Sequence, residues 1–427
     1  MILFVTTADT DLLTADRALV GLPADFPEVK AFNPANLSGE GEQQQILDAA
    51  AQADVVVLRL LGGKRAMPKT FDPLMRLCHE KRTPLIACPG HQEWDQELVT
   101  ACNVSPSELD AVFSYLIRGG VTNFQNMFLF LSDSYLGSEH GHEAPSEVPW
   151  EGVYHQSEPD GMDVQDFIER RFQAGRPNIA VLFYRAHWMS GNLQTVDALV
   201  NRLEELGANV LPVYSFSLKH NPEGDGQANR TFTEILCDPD GQARVHCIIN
   251  TMGMSMTDLQ EDVATFATGP QVDHLDKLNV PIIQGIFSTG NEADWEASSL
   301  GLGPVDTAMS VALPEFDGRI ITVPISFKEE VASEVNGRNG KMDARLQRNL
   351  PQLDRIDFLA RLSVKWAALR LKPNSEKRVA IILSNYPTKD ARVGNAVGLD
   401  TPASVINVLN AMKDVGYQVT DIPADGD

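Results

Sequence analysis

The N-terminal part of the chain alternates short apolar runs with amphipathic segments. Ile2–Thr6 is an apolar run of strand length, Leu12–Val20 reads as a helix, and Ala- and Gln-rich Gln43–Gln52 reads as another. The latter leads into Asp54-Val-Val-Val-Leu-Arg-Leu-Leu-Gly-Gly63, whose continuous β-branched run is the pattern of a strand buried on both faces. Pro73–Glu80 follows as helix and Pro84-Leu-Ile-Ala-Cys88 as strand, stopped by Pro89-Gly90. Strands alternating with helices predict parallel βαβ units.

Between Gly137 and Pro177 the pattern breaks. Ser138-Glu-His-Gly-His-Glu-Ala-Pro-Ser-Glu-Val-Pro149 is polar, acidic and Pro-containing, as in a connector, and Val164–Phe172 is helical. A second α/β unit then opens with strand Ile179–Tyr184, loop Arg185–Asn192 and helix Leu193–Leu206. In that helix Leu193, Val196, Leu199, Val200, Leu203 and Leu206 share one face, and Gly207 sits where a terminating glycine belongs. Val210–Tyr214, Val245–Ile249 and Pro281–Phe287 supply further strands.

A third start follows helix Ile356–Leu371: strand Arg378–Ser384, a long polar loop, helix Thr401–Val415 with Thr401 as N-cap, then strand Tyr417–Ile422. The fold class expected is α/β: several stacked α/β domains with largely parallel sheets, the last one truncated. The boundaries expected are 1–136 for an N-terminal α/β domain, 137–177 for a connector, 178–350 for a second α/β domain and 351–427 for an incomplete third. One strand, one helix and part of another strand do not complete a sheet covered on both faces, so the chain is expected to be part of a longer polypeptide.

Composition narrows the partners. The 427 residues include 58 Asp+Glu against 35 Lys+Arg, a net charge of −23, with no clustered basic patch. Such a surface repels nucleic-acid phosphates and anionic membranes, so neither is expected as a partner. No apolar run approaches the ~18 residues of a membrane span, and the opening residues lack a basic signal-peptide region. The five cysteines show no metal or redox spacing, which suits reduced thiols and a cytoplasmic location.

No G-x-x-x-x-G-K-[ST] loop, G-x-G-x-x-G turn or G-x-S-x-G elbow occurs, so nucleotide hydrolysis, NAD chemistry and esterase chemistry lack support. Polar loops at strand ends are the better candidates, because parallel sheets bind ligands there. Phe183-Tyr-Arg-Ala-His-Trp-Met-Ser-Gly-Asn192 gathers a cation, an imidazole, an indole and an amide before a helix. There His187 offers a base or metal ligand, Arg185 a partner for carboxylate, and Trp188 a stacking surface; the plainer alternative is a backbone-bonded His beside an interface-plugging Trp. The long loop from Ser384 to Ser404 offers Arg392, Asn395 and Asp400, with an interdomain clamp as its plainer reading. In Leu313-Pro-Glu-Phe-Asp-Gly-Arg-Ile-Ile321, Asp317-Gly318 signals a tight hairpin, and Glu315 reads first as a solvated strand-end carboxylate. His140-Gly-His142-Glu143 has alternating histidines in a flexible stretch, a poor basis for a rigid metal site.

These loops carry a resemblance. Phe183–Asn192, Trp295–Leu302, Val311-Ala-Leu-Pro-Glu-Phe-Asp-Gly-Arg-Ile320 and Leu383-Ser-Asn-Tyr-Pro…Arg392-Val-Gly-Asn-Ala-Val-Gly-Leu-Asp-Thr-Pro-Ala-Ser404 closely resemble the large, CobN-type subunits of aerobic cobaltochelatases. Arg59-Leu-Leu-Gly-Gly63 and Pro149-Trp-Glu-Gly-Val-Tyr154 resemble the N-terminal portion of that family, whose members are far longer than this chain. The related large subunits of magnesium chelatase carry a different, phenylalanine-rich version of the last loop.

The resemblance implies ATP-dependent insertion of Co²⁺, the substrate metal, into hydrogenobyrinic acid a,c-diamide during cobalamin biosynthesis. It also implies two smaller partner subunits, one an AAA+ ATPase that uses the ATP, and no tightly bound cofactor in this chain. Under it, His187 is proton acceptor or transient cobalt ligand, Glu315 is a second catalytic candidate, and Arg185, Asn192, Asn385, Arg392, Asn395 and Asp400 line the substrate cavity. The alternatives are a non-catalytic tetrapyrrole-binding scaffold and a magnesium chelatase-type large subunit.

Overall fold

The computed structural model describes residues 1–37, 39–218, 230–256, 278–333, 342–384, 394 and 398–425. Two sheets organise them, and helices cover both. Strands β1 (Ile2–Thr6), β2 (Val29–Phe32), β3 (Val55–Leu60) and β4 (Leu85–Pro89) form an all-parallel sheet in the order β2-β1-β3-β4. β1 is buried along its whole length, as its unbroken apolar run requires. On one face Phe4 meets Phe124 and Phe128 edge-on at 6.1 and 6.4 Å, among helices Asp9–Val20, Pro106–Arg118 and Val121–Tyr135. Helix Pro106–Arg118 begins at a full capping box of Ser105 and Glu108, which fixes where the chain turns into it. Helices Glu40–Ala50 and Phe71–Lys81 cover the other face.

The second sheet has a parallel centre with antiparallel margins. The parallel strands are β7 (Asn178–Tyr184), β8 (Asn209–Ser215), β9 (Cys247–Asn250), β10 (Ile282–Phe287) and β11 (Ile320–Val331). The hairpin β5 (Glu151–His155) and β6 (Glu158–Met162) adds antiparallel to β8. At the far side β13 (Leu346–Pro351) pairs antiparallel with β11, whereas β12 (Met342–Asp343) joins β2 of the first sheet. One chain segment thus serves both sheets within a few residues.

Several sequence expectations are relocated by this topology. Residues 151–162, read as connector, belong to the second sheet because their backbone completes its open edge at β8. The helix expected to open a third unit, Leu353–Leu371, lies on the second sheet, with Ile356, Leu359, Ala360 and Ala367 buried in its core. Arg185–Ser190 is helical rather than loop, ended by Gly191 at φ 69°. Asp317-Gly318 makes no hairpin, since it enters β11, which runs parallel to β10. Residues 378–384 form no strand; Ile382 is 91% exposed, and β-branched composition alone cannot supply the neighbouring backbone a strand needs. Tyr417–Ile422 is likewise unpaired. In helix Thr401–Asp414 the N-cap is Asp400, which accepts from Ala403 N–H at 3.0 Å, so Thr401 lies one position inside.

Helix Leu353–Leu371 approaches β10 at Gly285. A Cβ there would stand 2.9 Å from Leu359 Cδ2 and 3.2 Å from Ile325 Cδ1, so the glycine sets the helix-to-sheet distance. Gly285→Ala is expected to cost ~1–3 kcal/mol by overpacking, and Leu359→Ala ~2–5 kcal/mol by leaving a cavity. In urea denaturation the double variant should lose less than the sum, because the methyl group fills part of the void. Strict additivity would place this helix elsewhere.

Candidate functional site

The C-terminal ends of β7, β9, β10 and β11 face the end of β1 across a cleft of about 320 Å³. Thr7, Asp9 and Thr10 line it from the first sheet, and Tyr184, His187, Asn192, Phe287, Ser288 and Lys328 from the second. This is the carboxyl edge of a parallel sheet, where helix starts and loop polar groups converge.

His187 owes its place to the turn of helix that leaves β7. Its ring stands 5.4 Å from that of Phe287, and its Nδ1 lies 3.2 Å from Asn192 Nδ2. Asn192 in turn donates to Asn349 Oδ1 at 3.0 Å and accepts the Asn349 backbone N–H at 3.1 Å. Burial, with the Lys328 ammonium adding to it, pushes the His187 pKa down to about 4, so the ring is neutral at physiological pH. Both roles expected of His187, base and metal ligand, need an unshared ring lone pair, and the one at Nδ1 faces the Asn192 amide.

Lys328 Nζ donates to Asp9 Oδ2 at 2.6 Å, and Asp9 Oδ1 also accepts from Asn33 and Asn36 at 2.6 and 2.8 Å. These contacts join β11 to the first turn of helix Asp9–Val20. On the opposite wall Asp306 accepts from the Ser288 and Thr289 hydroxyls, each at 2.7 Å. Asp306 closes the first turn of a helical stretch, 304–315, that widens to a π-turn over Thr307–Ala312, a distortion frequent where backbone borders a ligand site. The segment after β9 carries Met254 at φ 70°, tied by its N–H to Met309 C=O at 2.7 Å and by its C=O to Arg319 at 3.0 Å. A non-glycine residue held in this region costs of order 1–3 kcal/mol and clusters at binding sites.

The cleft brings together His187 and Asn192, but other expected site residues lie elsewhere. Arg185 is 1% exposed and turns away, donating to the carbonyls of Pro149, Arg118 and Val148 at 2.6–2.9 Å, with its guanidinium over Trp150. It clamps the connector and is not free for a substrate carboxylate. Trp188 stacks on Tyr214 at 4.1 Å and donates to Pro159 C=O, so one indole face and its N–H are spent on packing outside the cleft. Glu315 is exposed outside the cleft; its neighbour Asp317 instead forms a buried ion pair with Arg319 at 2.7 Å. Asp400 is exposed and committed to its helix cap. Asn385, Arg392 and Asn395 lie outside the described residues. His140 and His142 wrap Asp133, which accepts the His140 N–H, and no cluster of three metal-ligating side chains occurs among the described residues.

Asp9, Lys328, Asp306 and Asn349 were not found by reading the sequence. Their sequence neighbours, such as Ala8 and Thr10 around Asp9 or Phe327 and Glu329 around Lys328, single none of them out, and only the tertiary fold brings them to one cleft.

A depressed His187 pKa sets a pH dependence. The native state binds fewer protons than the unfolded chain between pH 6.5 and about 4, so stability is full above that window and falls as pH drops through it. Urea midpoints against pH should fall less steeply in His187→Gln, and Lys328→Met should raise the His187 titration midpoint. Parallel pH profiles for wild type and His187→Gln would contradict the placement.

Comparison with known proteins places the chain in a family. The CobN/magnesium chelatase family model matches residues 113–427. The CobN subunit of aerobic cobaltochelatase from Pseudomonas aeruginosa is 33% identical over 100% of this chain and 32% of its own length. A magnesium-chelatase subunit from Cereibacter sphaeroides is 28% identical over 71% of this chain and 25% of its own. The solved catalytic subunit of cobaltochelatase from Mycobacterium tuberculosis superposes with a TM-score of 0.61 at 32% identity, covering 100% of this chain and 32% of that one. The chain therefore spans about a third of the length of these cobaltochelatase relatives. A family model covering most of the chain, and likeness to cobaltochelatase along all of it, establish that this chain belongs to the CobN/magnesium chelatase family.

Proposed function

We propose that this chain forms part of the tetrapyrrole-binding region of a cobaltochelatase large subunit. The reaction is ATP-dependent insertion of Co²⁺ into hydrogenobyrinic acid a,c-diamide in cobalamin biosynthesis. Two smaller subunits act with it, one an AAA+ ATPase that consumes the ATP, and the complex works in the cytoplasm. Cobalt is favoured over magnesium because likeness to the cobaltochelatase subunit runs the length of the chain, whereas likeness to the magnesium enzyme covers 71% of it.

The observation that carries this reading is the intersheet cleft holding His187 and Asn192 from a family-like loop. Metallation strips water from the cation, bends the ring and removes two pyrrole protons, which calls for a water-poor cavity and directional polar contacts. At about 320 Å³ the cleft is at the small end of ligand pockets, roughly 300–1,000 Å³. It fits one edge of the macrocycle with its carboxylates and amides, which suits Lys328, Thr7, Ser288 and the His187–Asn192 pair.

Titrating hydrogenobyrinic acid a,c-diamide into the chain tests the proposal through its Soret-region absorbance. A saturable change is expected, with affinity lowered roughly tenfold in Lys328→Met, the worth of one charge-assisted hydrogen bond. No change, or one indifferent to cleft substitutions, would overturn it. In the complete large subunit with partners, ATP and Co²⁺, a metal-dependent spectral change marks the enzyme, and binding without it marks a scaffold.

A further inference from the structure

The hydrogen bonds around Asn192 fix more than its position. The Asn349 backbone N–H can only donate, and it meets Asn192 Oδ1 at 3.1 Å, so the orientation of the Asn192 amide is determined. With the oxygen turned to Asn349, the Asn192 NH₂ has two hydrogens to place. One goes to Asn349 Oδ1 at 3.0 Å and the other to His187 Nδ1 at 3.2 Å. Asn349 cannot rotate to relax this, for its Nδ2 contacts Ser326 Oγ at 3.4 Å, its C=O takes the Thr195 hydroxyl at 3.0 Å, and its backbone is in register with Lys328 in the sheet. His187 Nδ1 must then carry the lone pair, and a neutral imidazole keeps its single proton on Nε2. Among the described residues no side chain or carbonyl is hydrogen-bonded to that Nε2, while the ring lines the cleft.

We infer that Asn192, clamped by Asn349, is a positioning residue that locks His187 as the Nε2–H tautomer. The cleft thereby offers a neutral N–H donor to an acceptor oxygen at the ligand's edge, a carboxylate or an amide carbonyl. His187 in this state is neither the proton acceptor nor the cobalt ligand, because the opposite tautomer would point Nδ1–H at the Asn192 NH₂. The groups facing the ring agree: Asn192 and the Lys328 cation oppose a second proton, and Tyr184 and Phe287 are neutral. As regards the ligand, this deepens the cleft reading above. The tautomer itself belongs to the free protein, so spectra of the unliganded chain judge it independently of tetrapyrrole binding.

The test is histidine-selective ¹⁵N labelling and long-range ¹H–¹⁵N correlation spectra at neutral pH, with His187 assigned by the signal lost in His187→Gln. Wild type should show a pyridine-like Nδ1 and a pyrrole-like Nε2, unbroadened by stoichiometric Co²⁺. In Asn192→Asp an acceptor replaces the donor, so the two nitrogens should exchange character, the titration midpoint should rise, and Co²⁺ should now broaden the His187 signals through Nε2. A wild-type Nδ1–H, selective Co²⁺ broadening of His187 in wild type, or an unchanged tautomer in folded Asn192→Asp would each overturn the inference. The wild-type spectrum decides even if the Asp variant fails to fold.

Discussion

Everything at the cleft depends on two sheets holding their carboxyl edges against one another. The contact that carries this is Lys328 to Asp9 at 2.6 Å, between β11 and the first helix. Asp9 is 6% exposed, and a carboxylate so placed is tolerated only when paired and hydrogen-bonded, a condition met by Lys328, Asn33 and Asn36. Arg17 of the first helix, reaching Met189 C=O, adds a second tie to the short helix that bears His187, and Arg348 of β13 holds the end of that helix at Gly191 C=O from within the second sheet. The site is therefore built at a joint, where each sheet contributes groups that neither would assemble alone.

The same joint explains the electrostatics. A cation that secures the sheets also sits near an imidazole and helps keep it uncharged. Neutrality, the Asn192 amide and the Asn349 backbone act in one direction, making the ring a hydrogen-bond donor of fixed orientation. Such a group recognises without competing for a metal ion. Within a chelatase that division is physically sensible, since a strong nitrogen ligand beside the macrocycle would hold back the cation that must be released into it.

Period and propensity made the regular elements legible in the sequence. The unbroken run of β7 and the single apolar face of the helix after it follow from burial, and both lie within a residue or two of their expected limits. Where the sequence misled, the missing information was tertiary. Residues 378–384 have strand composition without a neighbour, and the helix after Gln352 goes to the nearest sheet with an open face rather than starting another. Side-chain direction was equally hidden. Arg185 and His187 are two positions apart on one turn of helix, so they point to different surroundings, one to the connector carbonyls and the other to the cleft. No local pattern could separate them, nor could it reveal that Asn349 closes on Asn192 across 157 positions of sequence.

Under the proposed function, one edge of a tetrapyrrole rests at the joint between the sheets. Hydrogen exchange of the chain, with and without saturating hydrogenobyrinic acid a,c-diamide, addresses it most directly. Exchange is expected to slow in peptides covering 7–10, 184–192 and 287–289, with β3 and β4 unchanged. Protection confined to regions away from these three segments would contradict it.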